Sequence, residues 1–256
     1  MNVVVCVKQI PDPAVPGALS ADHTLDRSGK LILDESDSYG VEMALQLVDT
    51  AGEGEVTLIS MVPNGEVSGL RTALAMGAAK AILVSDDALA GSDALSTAKV
   101  LAKCVERIGD VDLVLTATES TDGYTGTIPA QVAELLGWPS LTFAKEIHLE
   151  GTTAKIQRQT EAGYDVVEAS LPAVVSVTAG VVEPRYPSFK GIMAAKSKPV
   201  DQVTTADLGL DAGAVAANQT ITSVTAAPAR EAGEKVEDDG TAFEKVVEFL
   251  DGLKVI

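Results

Sequence analysis

The chain has 256 residues, of which 46% are hydrophobic, and its formal net charge is −18. The hydrophobic content is sufficient for a full core, which excludes a disordered chain, and the length suits one large domain or one domain with appendages. The negative charge argues against a general nucleic-acid or anionic-membrane binder, because both functions need a basic face.

Two features of the sequence indicate where the protein works. The two cysteines, Cys6 and Cys104, form no disulfide or metal-binding pattern and are most simply small core residues. The apolar run at the N-terminus ends at Lys8, which is too short for a signal peptide or a membrane helix. We therefore expect a soluble cytoplasmic protein with no membrane insertion.

Apolar runs and helical spacings alternate along the first 139 residues. Short β-branched runs indicate buried strands, and apolar residues at helical spacing that end at glycine indicate helices. The strands are predicted at 2–8, 55–62, 80–85 and 111–117, and the helices at 38–48, 69–77, 94–109 and 129–136. This α/β alternation over short loops predicts a doubly wound, mostly parallel sheet that is Rossmann-like in its layers.

The pattern changes after Pro139. Residues 144–158 alternate around Glu150 and Gly151, which is typical of a β-hairpin. Residues 165–180 add a further arm of that hairpin region and an apolar strand. We therefore predict an antiparallel extension of the sheet.

Residues 183–199 differ in composition from the rest of this acidic chain. The segment has four lysine and arginine residues against one acid, and it contains Tyr186 and Phe189 although only 4% of the chain is aromatic. Composition alone does not explain why an acidic protein carries a basic, aromatic segment bracketed by prolines.

The C-terminal region, residues 206–256, is predicted to form an extended arm that ends in a helix, separate from an α/β domain at 1–205. Residues 206–240 are rich in small and polar residues, and Thr241 with Glu244 suggests a capping box for the last helix. One face of that helix is apolar: Phe243, Val246, Val247, Leu250 and Leu253. A short amphipathic helix needs a surface to pack on, and the pattern favours equally its own domain or a second chain.

The loop at 117–128 is the strongest candidate for a ligand site. In an open parallel sheet, ligands bind beyond the carboxyl ends of the strands, and this loop follows the fourth predicted strand. Gly123 and Gly126 allow a close approach of the backbone, and the helix that begins near Pro129 favours a phosphate at its N-terminus. A nucleotide phosphate is one interpretation, and a loop without a ligand is the commoner one for an isolated pattern of this kind.

No set of residues suggests catalysis. His23 lies in a polar loop and His148 in a hairpin strand, where packing is commoner than catalysis, and no nucleophile or metal-ligand spacing occurs. The sequence therefore favours a binding or carrier subunit over an enzyme.

Several segments, in order and at the right spacing, carry a resemblance to a known family. They are VVCVKQIPD at the N-terminus, RTALAMGA (71–78), VDLVLTATES, GWP (137–139), LPAVVSV (171–177) and EPRYPSFKGIMAAKSKP (183–199). Together they resemble the β subunit of electron transfer flavoprotein over essentially the whole chain. The form TDGYTGTIPA is similar to actinobacterial members.

The resemblance implies an adenine-nucleotide-binding fold in an αβ heterodimer, whose C-terminal arm and helix would clasp the α subunit. The α subunit would hold most of the redox FAD, and this chain would bind a structural AMP, largely through its backbone. The implied AMP contacts are Cys6, Asp34, Met61, Ala117, Ser120, Gly123, Gly126, Thr127 and Ile128.

The resemblance also explains residues 183–199, which would be the recognition loop. This loop would dock acyl-CoA-type dehydrogenases, with Phe189 as an anchor, and the electrons would pass on to a quinone oxidoreductase in the membrane. A core position for Phe189 is the alternative, because it is the commoner fate of a phenylalanine. The implied docking residues are Arg185, Tyr186, Phe189, Lys190, Ile192 and Met193.

Two alternative functions are also considered, and the sequence departs from the family pattern at one position of interest. Electron-bifurcating relatives bind a second FAD in place of AMP, and the universal-stress class of nucleotide-binding proteins shares the fold. In electron-bifurcating relatives this loop usually contains Asp-Thr-Ala-Gln-Val-Gly-Pro. The loop from Tyr124 to Pro129 differs from that sequence and favours AMP. Gln159 stands where the family usually has an acid that helps to hold the recognition loop, so control of the loop differs here.

Overall fold

A nine-stranded mixed sheet organises the first unit of the structure, Met1–Thr222. The structure is a computed structural model, and it describes residues 1–225, 227–228, 232–233 and 235–256. The strands are β1 (Asn2–Cys6), β2 (Gln9–Pro11), β3 (Leu31–Leu33), β4 (Glu55–Val62), β5 (Lys80–Ser85), β6 (Leu113–Ala117), β7 (Ser140–Glu150), β8 (Thr153–Thr160), β9 (Gly163–Ser170), β10 (Ala173–Val177) and β11 (Val200–Val203). The helices are α1 (Glu35–Ala51), α2 (Ser68–Met76), α3 (Ala94–Ile108), α4 (Ile128–Leu136), α5 (Phe189–Ala195), α6 (Ala212–Val215) and α7 (Ala242–Gly252).

The order of the strands confirms the predicted α/β class. The sheet runs β11-β5-β4-β1-β6-β10-β7-β8-β9, and every pairing from β11 to β7 is parallel. β7, β8 and β9 pair antiparallel and form the predicted extension. β10 lies inside the parallel part, between β6 and β7, although its place in the sequence groups it with the hairpin strands.

Two apolar layers, one on each face, explain why the central strands read as continuous hydrophobic runs. Along β1, Val3 and Val5 pack into the layer that α1 and α2 cover, whereas Val4 and Cys6 pack into the layer that α3 and α4 cover. Successive side chains of a strand point to opposite faces, so a strand that is covered on both faces must be apolar throughout.

The elements that were not predicted from the sequence include four short ones, β2, β3, β11 and α5. β2 and β3 form a small antiparallel ribbon, β11 pairs with β5 at one edge of the sheet, and α5 lies inside residues 183–199. The two ribbon strands have three residues each and β11 has four, which is too few for a periodic pattern to develop.

The first unit extends beyond the predicted boundary at residue 205. Val215 is fully buried against the layer of α3, and Ser96 Oγ on α3 donates a hydrogen bond to the Ala216 carbonyl at 3.0 Å. The Asn218 amide also donates to Asp93 at 2.8 Å. The segment from 206 to 218 therefore belongs to the α/β unit, and we move the start of the arm to Ser223.

The second unit, Ser223–Ile256, contains α7. Its apolar residues Phe243, Val246 and Val247 are exposed. The predicted capping box is wrong, because the Thr241 side chain makes no cap hydrogen bond to α7 and donates to Asp239 at 2.7 Å. Among the described residues, no helix has both the length and the hydropathy to cross a membrane.

Candidate functional site

Three neighbouring strands of the sheet end at the candidate nucleotide crevice. β4, β1 and β6 are adjacent and parallel, so their carboxyl ends meet at one edge. Cys6, Met61 and Ile128 contact the same apolar layer at this edge. The edge where the sequence predicted AMP contacts therefore brings together residues from two strands and from the first turn of α4.

The loop from Thr118 to Thr127 connects β6 to α4 and is shaped for a close backbone approach. Gly126 has a φ of +67°, a left-handed conformation that side chains rarely adopt. Gly123 has another role: a Cβ there would lie 3.2 Å from Ser120 Oγ, so this glycine leaves room for a neighbouring side chain.

The N-terminus of α4 meets the requirements of an anion site. Thr127 is the N-cap residue of this helix, but its side chain makes no cap hydrogen bond. The first amide groups of a helix have no partner within the helix, and its dipole favours negative charge at that end. The residues present therefore fit a nucleotide phosphate at the start of α4.

Asp34 holds the loop, and its carboxylate is fully engaged with the protein. Its Oδ1 accepts hydrogen bonds from the amide and the hydroxyl of Ser36, at 3.1 and 2.7 Å. Its Oδ2 accepts from the amide and the hydroxyl of Thr121, at 2.7 and 3.1 Å. The side chain is completely buried and is also the N-cap of α1. The carboxylate of Asp34 therefore positions the loop, and the AMP contact that the resemblance implies for Asp34 stays a prediction that its backbone would have to fulfil.

A cluster of charges supports the same loop from the other end. Lys8, just after β1, donates to Asp122 at 2.6 Å and to Ser120 at 3.1 Å, and Arg27 pairs with Asp122 as well. Burial acts to raise the pKa of Asp122, but the charges of Lys8 and Arg27 outweigh it and hold the pKa below the usual aspartate value. The pairing therefore stabilises the loop at neutral pH and is lost only in acid, as the pH falls through that lowered pKa.

Burial shifts the pKa values of two groups near the end of β1, Asp37 and Cys6, in the direction that favours the uncharged form. Burial raises the pKa of Asp37 well above its usual range, although the Lys8 amide donates to its Oδ2 at 2.5 Å. Burial also raises the pKa of the Cys6 thiol, and it raises that of Cys104 to about 12. Both thiols are protonated at neutral pH, so they act as apolar core groups and not as nucleophiles.

The recognition loop, residues 183–199, presents a second candidate surface. Tyr186 is 92% and Phe189 81% exposed, and Lys190, Ile192 and Met193 are exposed with them. A core position for Phe189 is thus ruled out. The loop surface exposes Tyr186, Phe189 and Met193, and tyrosine, phenylalanine and methionine are residue types that are enriched in protein interfaces.

Arg185 is the exception among the predicted docking residues. Its guanidinium pairs with Glu42 of α1, with 2.6 Å between Nε and Oε2 and 3.0 Å between Nη2 and Oε1. These contacts fix the recognition loop to α1 through Arg185. Gln159, which stands where the family usually has an acid, lies exposed on β8.

Sequence reasoning missed five residues that shape the two surfaces: Lys8, Arg27, Asp37, Asp122 and Glu42. Each is an acidic or basic residue whose hydrogen-bond partner is far away in the sequence, so no local pattern reveals the pairing. For two of them the sequence did contain a signal, because acidic residues occur on the apolar side of α1. Asp37 and Glu42 are buried there among Val41 and Leu45.

Asp34→Asn should lower the free energy of unfolding by about 1–3 kcal/mol, because an amide has one acceptor oxygen and cannot satisfy both Ser36 and Thr121. The measurement is urea unfolding of the purified protein. Asp12→Asn is the matched control, since the side chain of that half-buried aspartate accepts from the Ala14 amide only two residues away. Equal midpoints for the two variants would contradict the role given to Asp34.

Comparisons with known proteins identify the family of this chain. A sequence model of the electron transfer flavoprotein domain matches residues 22–208. The electron transfer flavoprotein subunit beta of Mycobacterium tuberculosis is 41% identical, over 100% of this chain and 99% of the relative. The Megasphaera elsdenii subunit beta is 34% identical over the full length of both chains. The caffeyl-CoA reductase-Etf complex subunit CarD of Acetobacterium woodii is 34% identical over 98% of this chain and 96% of its own. The chain therefore belongs to the electron transfer flavoprotein family, as a β subunit.

Proposed function

We propose that this chain pairs with an α subunit, binds a structural AMP and docks dehydrogenases for electron transfer. The single observation that carries the AMP assignment is the uncapped N-terminus of α4 next to Gly126 at the carboxyl edge of the sheet. The electrons would come from acyl-CoA-type dehydrogenases and pass to a quinone oxidoreductase. The chain itself would act as a carrier subunit without catalytic residues. Its two buried free thiols support a reducing compartment, the cytoplasm.

The AMP phosphate would lie at the start of α4, where Gly126, Thr127 and Ile128 offer backbone groups. Cys6 and Met61 would border the rest of the nucleotide through backbone and apolar atoms, together with Ala117 at the end of β6. The Ser120 hydroxyl is already oriented by Lys8 at 3.1 Å. A loop that is held before the ligand arrives loses little entropy on binding, which suits a nucleotide with a structural role.

FAD, held mainly by the α subunit, would carry the electrons. The contribution of this chain would be to support that subunit and to bring a dehydrogenase close. The anchor would be Phe189, with Tyr186, Lys190, Ile192 and Met193 around it, because exposed aromatic side chains dominate the energy of small interfaces.

The second unit, from Ser223, would clasp the α subunit. An isolated helix of the length of α7 is marginal in water, and its exposed Phe243, Val246 and Val247 need an apolar surface. A partner chain would supply that surface.

The alternative is a family member with a second FAD in place of AMP. The similarity to CarD, a subunit of a caffeyl-CoA reductase-Etf complex, keeps this alternative in view. We favour AMP because the segment from Tyr124 to Pro129 departs from the bifurcating pattern. A universal-stress-type protein is disfavoured by the family membership.

Gly126→Val should release AMP about fivefold to thirtyfold faster, because a left-handed conformation costs a side chain about 1–2 kcal/mol and the loop would leave its binding shape to relieve it. The measurement is the AMP content of the purified heterodimer after dialysis. Gly151→Val is the matched control, since Gly151 also has a left-handed φ, of +59°, but lies in the β7–β8 turn. Full AMP retention in Gly126→Val would rule out the proposed contact.

Phe189→Ala should lower kcat/KM with an acyl-CoA-type dehydrogenase roughly tenfold to thirtyfold, the effect of removing a central anchor. FAD and AMP content should stay unchanged, which separates docking from cofactor binding. Leu95→Ala removes an exposed apolar side chain of α3, on the opposite face of the sheet, and should leave turnover unchanged. Normal turnover in Phe189→Ala would exclude the anchor.

Deletion of residues 241–256 should weaken α/β association roughly tenfold or more, because it removes the apolar face of α7. The measurement is the dissociation constant of the co-produced subunits. Glu248→Gln, a change on the polar face of the helix, should have no effect. A truncated chain that binds the α subunit normally would show that α7 does not contribute to the interface.

A further inference from the structure

Arg185 is attached to α1 through its backbone as well as its side chain. The backbone amide donates to Glu42 Oε2 at 3.2 Å, and the guanidinium donates to both carboxylate oxygens. A bidentate ion pair of this kind fixes the orientation of the guanidinium as well as its distance from the carboxylate. The first part of the recognition loop is therefore held in one orientation relative to α1.

The Glu42 side chain is buried, ionised and held in place by hydrogen bonds. Its side chain is only 4% exposed, and Gln46 on the next turn donates to its Oε1 at 2.8 Å. Burial acts to raise the pKa of Glu42, but hydrogen bonds from Arg185 and Gln46 outweigh burial and hold the pKa below the usual glutamate value. A buried carboxylate that stays ionised depends on its cationic partner, so the pair resists separation.

The far end of the recognition loop is fixed independently. α5 lies so close to α2 that a Cβ on Gly191 would be 2.5 Å from the Ala75 carbonyl oxygen. Arg71 on α2 donates to the Ala195 and Lys198 carbonyls, at 2.7 and 2.8 Å. The exposed residues Tyr186 and Phe189 thus lie between two fixed points, Arg185 and the α2–α5 contact.

We propose that Glu42 and Arg185 form a latch that holds Tyr186 and Phe189 in the geometry needed for docking. Glu42 is then a positioning residue for partner recognition, and Arg185 serves the loop and not the partner. This inference rests on the proposed docking function. Its physical basis is preorganisation, because a loop that is already fixed loses less entropy when a partner binds.

The test compares Glu42→Gln with Asp49→Asn in the intact heterodimer. Asp49 is the matched control because it is an exposed acid of α1, 3.6 Å from the same guanidinium. Glu42→Gln should raise amide hydrogen exchange in residues 184–190 and lower kcat/KM with a dehydrogenase about threefold to tenfold, mainly through KM. FAD and AMP content should stay normal, and Asp49→Asn should change none of these quantities by more than about twofold.

Arg185→Lys distinguishes a latch from a direct contact with the partner. It keeps the charge but loses the fork of the guanidinium, so a latch predicts docking between the wild type and Glu42→Gln. If Arg185 instead met the partner directly, Glu42→Gln would free it and docking would be unchanged or stronger, which would overturn the proposal. Should Glu42→Gln fail to fold, Arg185→Gln carries the same expectations from the exposed side of the pair.

Failure of the latch and failure of the docking function give different results. If Phe189→Ala weakens turnover but Glu42→Gln does not, the latch is excluded and the docking function remains. If Phe189→Ala has no effect, the docking function is wrong and the positioning role of Glu42 is excluded with it. Unchanged exchange of residues 184–190 in Glu42→Gln would overturn the latch in either case.

Discussion

The carboxylate of Asp34 joins two segments that are far apart in the sequence, and the geometry of the candidate nucleotide site depends on that junction. One oxygen caps α1 through Ser36, and the other holds the loop at Thr121. The loop in turn determines where α4 begins and leaves its N-terminus open to an anion. A buried aspartate with four hydrogen bonds thus connects the frame of the domain to its ligand edge.

Helix α1, which Asp34 caps, also supports the proposed docking surface. Glu42 lies eight residues after Asp34, about 12 Å along the axis at 1.5 Å per residue. The N-terminus of α1 therefore holds the nucleotide loop, and its middle holds the recognition loop through Arg185. Because the buried face of α1 packs into the core, neither support shifts without disturbing the sheet. A structural nucleotide fits this arrangement, since it would stabilise the domain that carries the docking surface.

The parallel sheet could be predicted from the sequence because strands covered on both faces are largely apolar, as β1 is from Val3 to Cys6. The position of the ligand edge followed from the topology of such sheets. The small elements β2, β3 and β11 escaped prediction because they are too short to show a period. The end of the first unit was placed too early because Val215 is an isolated apolar residue in a stretch of small ones.

The charged pairs of the two surfaces were beyond sequence reasoning for a different reason. Lys8 meets Asp122, and Arg185 meets Glu42, over separations of more than a hundred residues. Composition identified the recognition loop as basic, but only the structure shows that Arg185 is paired within the chain and that Phe189 is exposed. The resemblance gave the outline of the site, and the contacts gave the roles of Asp34 and Arg185.

The central claim is that this chain is the AMP-binding half of a two-subunit electron carrier. The most direct measurement is to purify the chain natively, release its ligands with acid and identify them by chromatography and mass. The account predicts a co-purifying α subunit with one FAD and one AMP per heterodimer. Two FAD molecules without AMP, or ATP on a chain that purifies alone, would contradict it.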